Sequence, residues 1–376
     1  MSLRHRVRAV VVALAALATA SAPTGLAASP GPPQAAWEQW LHLPGVFDLA
    51  GPRADGRLVA AVHGRLVLVG QAGATSDFAP SYSAPDGPES YIALSPGMAV
   101  EGAGCSFPRD EVLALDLTRV PAGVARISSN GAVSHLADVT GATTLTGLAL
   151  DTVGRFGHRL LVVGPAEAGK TQVSGIDCRG RVASIGVVDT PLEGGMAVAP
   201  RSFGPYGGQL VAADELRGSI YAVSPSGRLS AVAASGVPAG GDIGVESAGF
   251  VPATGVAAAY LADRGTPGNP HPGTDSVLRL TGAALRASGV RPGDLLVATE
   301  GGATVVGVRC ARRCLAKVVA TGPPAAHGEG RLLAVTPTAG RGGGGPAAFL
   351  VVAAGLAALA GLSLLAVSRA RRSRRP

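Results

Sequence analysis

Gly195-Met-Ala-Val198, Gln209-Leu-Val-Ala-Ala213, Ser219-Ile-Tyr-Ala-Val223 and Arg228-Leu-Ser-Ala-Val232 are four apolar runs of strand length packed into one short stretch of chain. Pro200 opens the loop after the first run, and Phe203-Gly-Pro-Tyr-Gly-Gly208 completes it. Asp214 ends the second run, and Pro225-Ser226-Gly227 turns the chain between the third and the fourth. Apolar runs this short, bounded by Gly, Pro, Asp and Ser, read as strands. Four strands joined by tight turns within ~40 residues form one blade of a propeller.

The same order recurs on both sides. Gly147-Leu-Ala-Leu150 answers the first run, Phe156-Gly157 the loop, Leu160 to Val163 the second run and Cys178-Arg-Gly-Arg181 the last turn. Further first strands are expected at Tyr91-Ile-Ala-Leu94, Ala248-Gly-Phe-Val251 and Ala303-Thr-Val-Val306, with one more near Val46. Arg57-Leu-Val-Ala-Ala-Val62, Arg65-Leu-Val-Leu-Val69 and Asp294-Leu-Leu-Val-Ala298 have strand length too, and no long helical period interrupts them. A unit repeated at about 50 residues, each burying its faces against its neighbours, predicts an all-β, six-bladed β-propeller. The expected propeller spans residues 37–336, after a linker over 29–36. Aromatic residues make up only 4% of the chain, whereas many propellers pack their blades with Trp and Tyr.

Residues 195 to 227 resemble the repeat of NHL-type six-bladed propellers, and they are similar to the gluconolactonase and strictosidine-synthase-like propellers. The resemblance covers one blade well and a second in part, and it speaks to fold before function. The gluconolactonase-like members imply a divalent ion at the central channel, held by acidic and Asn ligands, and calcium-dependent hydrolysis of a lactone or ester. This sequence supplies Glu in three units but no matching Asn. Asp214 and Asp263 stand where the NHL repeat also has Asp, and bonding to turn amides is their expected task.

The two ends carry targeting signals. Arg4, Arg6 and Arg8 precede an uninterrupted apolar or small run from Ala9 to Ala20, too short to span a membrane and of the length of a signal-peptide core. A signal peptide over residues 1–28 is expected, with Ala18-Thr19-Ala20 and Leu26-Ala27-Ala28 as alternative cleavage sites. Residues 337–345 form a Gly-rich tether, 346–367 an uncharged stretch long enough for one transmembrane helix, and 368–376 a basic tail with five Arg. Such a tail stays on the cytoplasmic side, which leaves the propeller outside as a single-pass cell-membrane protein. Attachment to a bacterial cell wall is the alternative, but Leu333-Ala334-Val335-Thr336-Pro337 has Pro where a sorting motif needs Gly.

The formal charge of +7 belongs to those ends. Removing the eight Arg of the signal and the tail leaves about −1 for the exposed part, so no nucleic-acid groove is expected. All four cysteines fall in that exported part, where cysteines pair. Cys310 and Cys314 flank a turn between two apolar runs and read as a stapled hairpin, which leaves Cys105 for Cys178.

The string Gly164-Pro-Ala-Glu-Ala-Gly169-Lys170-Thr171 matches a phosphate-binding loop, but a Gly-containing, strand-like stretch follows it where a helix is needed, so no nucleotide is expected. No G-x-S-x-G or H-E-x-x-H string occurs, and the seven His are dispersed. The remaining signal is acidic. Glu89, Glu193 and Glu246 each stand just before a first strand, and matching ends of first strands converge on a propeller axis. Three carboxylates near one axis repel unless a cation or hydrogen-bond donors answer them, and Ca²⁺ suits an oxygen-only set. The expected function is an extracytoplasmic module binding a protein or a small molecule; the alternative is a calcium-dependent lactone or ester hydrolase.

Overall fold

A computed structural model describes residues 33–336 apart from 86, 88 and 168. The expected signal peptide, Gly-rich tether, membrane helix and basic tail lie outside the described residues. Among the described residues no helix is long and apolar enough to cross a membrane.

Six antiparallel sheets form the blades. From the inner to the outer strand, blade 1 is Val46–Ala50, Leu58–Val62, Arg65–Val69 and Thr75–Phe78. Blade 2 is Ile92–Leu94, Val112–Asp116, Gly123–Ile127 and Val133–Asp138, with a small hairpin, Met98–Val100 and Cys105–Phe107, set into its first loop. Blade 3 is Gly147–Leu150, Leu160–Pro165, Thr171–Ile176 and Val182–Val188. Blade 4 is Glu193–Val198, Leu210–Asp214, Ser219–Val223 and Leu229–Ala234, the unit from which the sequence reading began.

Blades 5 and 6 interlock. Val245–Phe250 is the inner strand of blade 5, but the chain then lays Ala258–Asp263 and Ser276–Thr281 into blade 6. It turns through the helix Gly282–Ala287, capped by the Thr281 hydroxyl, and returns to blade 5 as Leu295–Thr299, Val305–Cys310 and Cys314–Thr321. Gly328–Val335 then completes blade 6 as its inner strand. Near the N-terminus, Ala35–Ala36 adds a parallel edge to blade 5 and Glu38–His42 an antiparallel edge to blade 6. The expectation that Ala303–Val306 opens a sixth unit is therefore corrected. Val305–Cys310 is the third strand of blade 5, because the two strands placed in blade 6 displace the rest of blade 5 along the sequence.

Packing is by period-two alternation. In Leu160–Pro165, Leu160 and Val162 pack toward blade 2 while Leu161 and Val163 pack toward blade 4, and all four are fully buried. Fully burying a Leu or Val contributes ~1.5–3 kcal/mol. Ala and Val layers replace the aromatic layers of other propellers, in keeping with the 4% aromatic content.

Both disulfides pair as read from the sequence. Cys105–Cys178 ties the inserted hairpin of blade 2 to blade 3, with Cα atoms 5.9 Å apart, and Cys310–Cys314 staples the last hairpin of blade 5, with Cα atoms 4.0 Å apart.

At one mouth of the ring the inner strands of blades 1, 4, 5 and 6 are bulged. Residues 194–196 oppose Ala212 alone, residues 330–332 oppose Leu261 alone, and Phe47 and Glu246 are skipped in their ladders. A bulge bends a strand and re-aims its side chains. Gly194 and Gly330 adopt positive φ there, +67° each. A Cβ on Gly195 would collide with the Gly330 carbonyl, so blades 4 and 6 meet backbone to backbone beneath the mouth.

Candidate functional site

The loops before the inner strands and those joining second to third strands surround this mouth. The first group supplies Glu89, Tyr91 and His327, and the first two positions of the inner strands themselves supply Glu193, Glu246 and Glu329, so the expectation that Glu193 and Glu246 stand before their strands is corrected. The second group supplies Glu215, Arg264 and Glu300.

Tyr91 is the hub. Its buried hydroxyl lies 3.0 Å from Glu89 Oε2, 3.0 Å from Glu246 Oε1 and 2.5 Å from Glu329 Oε1. One O–H satisfies one acceptor, so the other two contacts require protons on the carboxyls or a cation. Arg264 Nη1 answers part of the charge, 2.7 Å from Glu89 and 3.3 Å from Glu329.

A second branch starts from the same place. His327 Nε2 is 2.9 Å from Glu300 Oε1 and 3.8 Å from Glu329 Oε2. Glu215 lies between Glu300 and Glu193, within hydrogen-bonding reach of both. Two carboxyls bond only through a shared proton, so Glu215 serves as the protonated member. Asp263 fixes the branch from outside, for its Oδ1 accepts the His327 backbone N–H at 2.8 Å.

The electrostatics follow from burial without enough donors. Burial, then the hydrogen bond and charge of Glu300, push Glu215 up to about 9. Burial and the charges of Glu89 and Glu300 push Glu329 up to about 8. Burial and the charges of Glu329, Glu300, Glu89 and Glu193 hold Glu246 well above the usual carboxylate range, and burial and Glu89 also raise Glu193. Burial works against a charge on His327, yet its bond to Glu300 and the nearby carboxylates raise its pKa. Burial works against ionised Glu300 too, but the hydrogen bonds from His327 and Glu215 and the charges of His327 and Arg264 outweigh it and lower its pKa.

The sequence singled out Glu89, Glu193 and Glu246. Glu89 and Glu246 share the Tyr91 hydroxyl, while Glu193 joins the network through Glu215. Glu300, His327 and Glu329 were missed, and their donor atoms all lie within 4.8 Å of one another. A repeated position could have revealed part of this. Glu215, Arg264 and Glu300 each directly follow a second strand, after Asp214, Asp263 and Thr299. Glu-Gly opens the inner strand of blade 4 at Glu193 and recurs in that of blade 6 at Glu329.

The donor set fits a divalent cation. Separations of 2.9 and 3.8 Å bracket the ~3–3.5 Å between ligands bound at ~2.1 Å to one ion. Glu246 Oε2, buried beside them, accepts no hydrogen bond among the described residues.

Asp214 does what the turn reading expected: it accepts the Arg217 backbone N–H at 3.0 Å, the Thr190 hydroxyl at 2.6 Å and the Arg217 guanidinium at 2.7 Å. The phosphate-loop-like string is the turn of an antiparallel hairpin in which Pro165 pairs with Thr171, and Lys170 bonds Glu167.

No family model and no curated protein sequence matches the chain. Among solved structures it is similar to a virginiamycin B lyase from Staphylococcus aureus, at 9% identity over 73% of this chain and 69% of the other, TM-score 0.40. It is also similar to a gluconolactonase from Xanthomonas campestris, at 14% identity over 61% and 69%, TM-score 0.37. A chain of a nidogen/laminin complex matches at 13% identity over 76% and 83%, TM-score 0.45. The propeller assignment itself stands on the strand pairing described above.

Proposed function

We propose that this chain is an exported, membrane-tethered propeller whose acidic mouth binds a divalent cation and, with it, an extracytoplasmic ligand. One observation carries the reading: among the described residues six glutamates share the mouth with a single arginine, and the donor atoms of Glu300, His327 and Glu329 converge within 4.8 Å. Glu300, His327 and Glu329 would hold the ion, with Glu246 turned to it. The ion would supply the positive charge that the carboxylates otherwise take from protons. A nitrogen ligand suits Mn²⁺ or Zn²⁺, whereas the carboxylates Glu89, Glu193 and Glu246 alone would favour Ca²⁺. The described chain ends on the face opposite the mouth, so a tether over 337–345 would leave the site open.

Calorimetric titration of the chelator-treated chain with Ca²⁺, Mn²⁺ and Zn²⁺ tests this. One ion should bind at one site, and His327→Ala should weaken Mn²⁺ or Zn²⁺ at least tenfold. Heat from none of the three removes the reading. The hydrolase alternative keeps one observation in its favour, the hydrogen-bonded run His327–Glu300–Glu215, which can hold and move a proton beside the ion. Lactone hydrolysis measured with and without the bound ion separates it from plain binding. Protease protection of a C-terminal tag in sealed cells tests the topology.

A further inference from the structure

A cavity of about 370 Å³ opens on the face opposite the acidic mouth, in the cleft between blades 6 and 1. Trp40 and Tyr260 form its aromatic wall, with ring centroids 4.9 Å apart and planes inclined by 54°. Trp40 sits where the ladder between Glu38–His42 and Ser276–Thr281 slips by one residue, a bulge that sets this side chain apart from the edge strand's alternation. Leu58 closes the apolar floor from blade 1.

The polar groups are of a particular kind. Arg279 lies over the Trp40 ring, 5.8 Å from its centroid, and donates through Nε and Nη2 to the same oxygen, Oε2, of Glu38 at 3.1 and 2.7 Å. The other Glu38 oxygen accepts no hydrogen bond among the described residues. The side-chain amide of Gln71 lines the cavity and likewise bonds to no protein group among them. The site thus offers a wall of two inclined aromatic rings, an Arg279 guanidinium whose charge Glu38 neutralises from beside the cavity, and an unengaged amide.

We infer that this cleft binds a neutral sugar ring, as one unit of a glycan. An ionic ligand finds no net charge here, because Glu38 already neutralises Arg279. A wholly apolar ligand would leave the Gln71 amide in the lining unanswered. A pyranose has one C–H face for an aromatic ring of the wall and a rim of hydroxyls for the Arg279 guanidinium and the Gln71 amide, matching the pattern of an apolar pocket with a few placed polar groups. A cavity near the lower end of the ~300–1,000 Å³ range for ligand sites holds roughly one or two rings.

The test is ligand-observed saturation-transfer NMR on the full chain in a phosphocholine detergent, which carries no sugar headgroup. Cellotetraose, maltotetraose and tetra-N-acetylchitotetraose serve as probes. At least one should bind saturably, and Gln71→Leu and Trp40→Ala should each weaken it tenfold or more. Should Trp40→Ala lower the melting temperature, the exposed Gln71→Leu decides. Saturable binding of none of the three overturns the proposal, and so does binding that Gln71→Leu leaves unchanged. Loading or stripping the acidic mouth of metal should leave this binding unaltered, since the two sites occupy opposite faces.

Discussion

Asp214 and Glu246 are both almost wholly buried acids, yet they live in opposite circumstances. Asp214 accepts a backbone N–H, a hydroxyl and a guanidinium, so each oxygen is answered from a turn built around it. Glu246 shares one tyrosine hydroxyl with two other carboxyls, and its second oxygen accepts no hydrogen bond among the described residues. The first acid organises the fold. The second is a source of instability that the fold tolerates at one place, where bulges and glycines bring the inner strands together. Unanswered buried charge of that kind marks functional sites more often than structural ones.

Substitution should separate the two. Asp214→Ala strands the buried Thr190 hydroxyl and an Arg217 amide, and should cost about 3 kcal/mol in urea unfolding. A loss under ~1 kcal/mol would erase the distinction from the structural side.

A pH series should show the second-largest effect. Glu215 and Glu329 have folded pKa values raised to about 9 and about 8, above the ordinary value near 4.5. The folded state therefore holds protons that the unfolded chain has released. Their contribution is fully present below about pH 4.5 and is lost as the pH rises through 8 to 9. In chelator, the melting temperature should fall by on the order of 5 °C between pH 6 and 9. A flat or rising curve over that range would mean that the mouth acids are as well answered as Asp214.

Glu246→Gln should have the smallest effect and the opposite sign to Asp214→Ala. It removes a buried acid whose ionisation burial and the neighbouring carboxylates oppose, while keeping a group that can bond Tyr91. In chelator at pH 8 it should raise stability by about 1 kcal/mol. Destabilisation by 2 kcal/mol or more, flagged by the same urea experiment, would place Glu246 with the structural acids.

The same contrast governs what the sequence made legible. Blade 4 has every strand in order between tight turns, so its reading transfers directly to the structure. Blades 5 and 6 exchange strands, and a repeat spacing cannot show that Ala258–Asp263 pairs with Gly328–Val335 rather than with Val245–Phe250. The site suffers from this most, because Arg264, Glu300, His327 and Glu329 all come from the interlocked pair. Glu89, Glu193 and Glu246 were found because a position just before or at the start of an inner strand is local. Glu329 was hidden because a bulge next to it breaks the alternation from which facing is read, and Glu215, Arg264 and Glu300 because they sit in loops, where no alternation operates.

Thermal melting of the chelator-treated chain at pH 8, alone and with Ca²⁺, Mn²⁺ or Zn²⁺ at 1 mM (roughly 100 times a Kd of about 10 μM), tests the idea that a cation belongs among the mouth carboxylates. Saturation at that ratio adds about 2.7 kcal/mol, so at least one ion should raise the midpoint by several degrees, and Glu329→Gln should abolish the rise. An unchanged midpoint with all three ions would contradict the account.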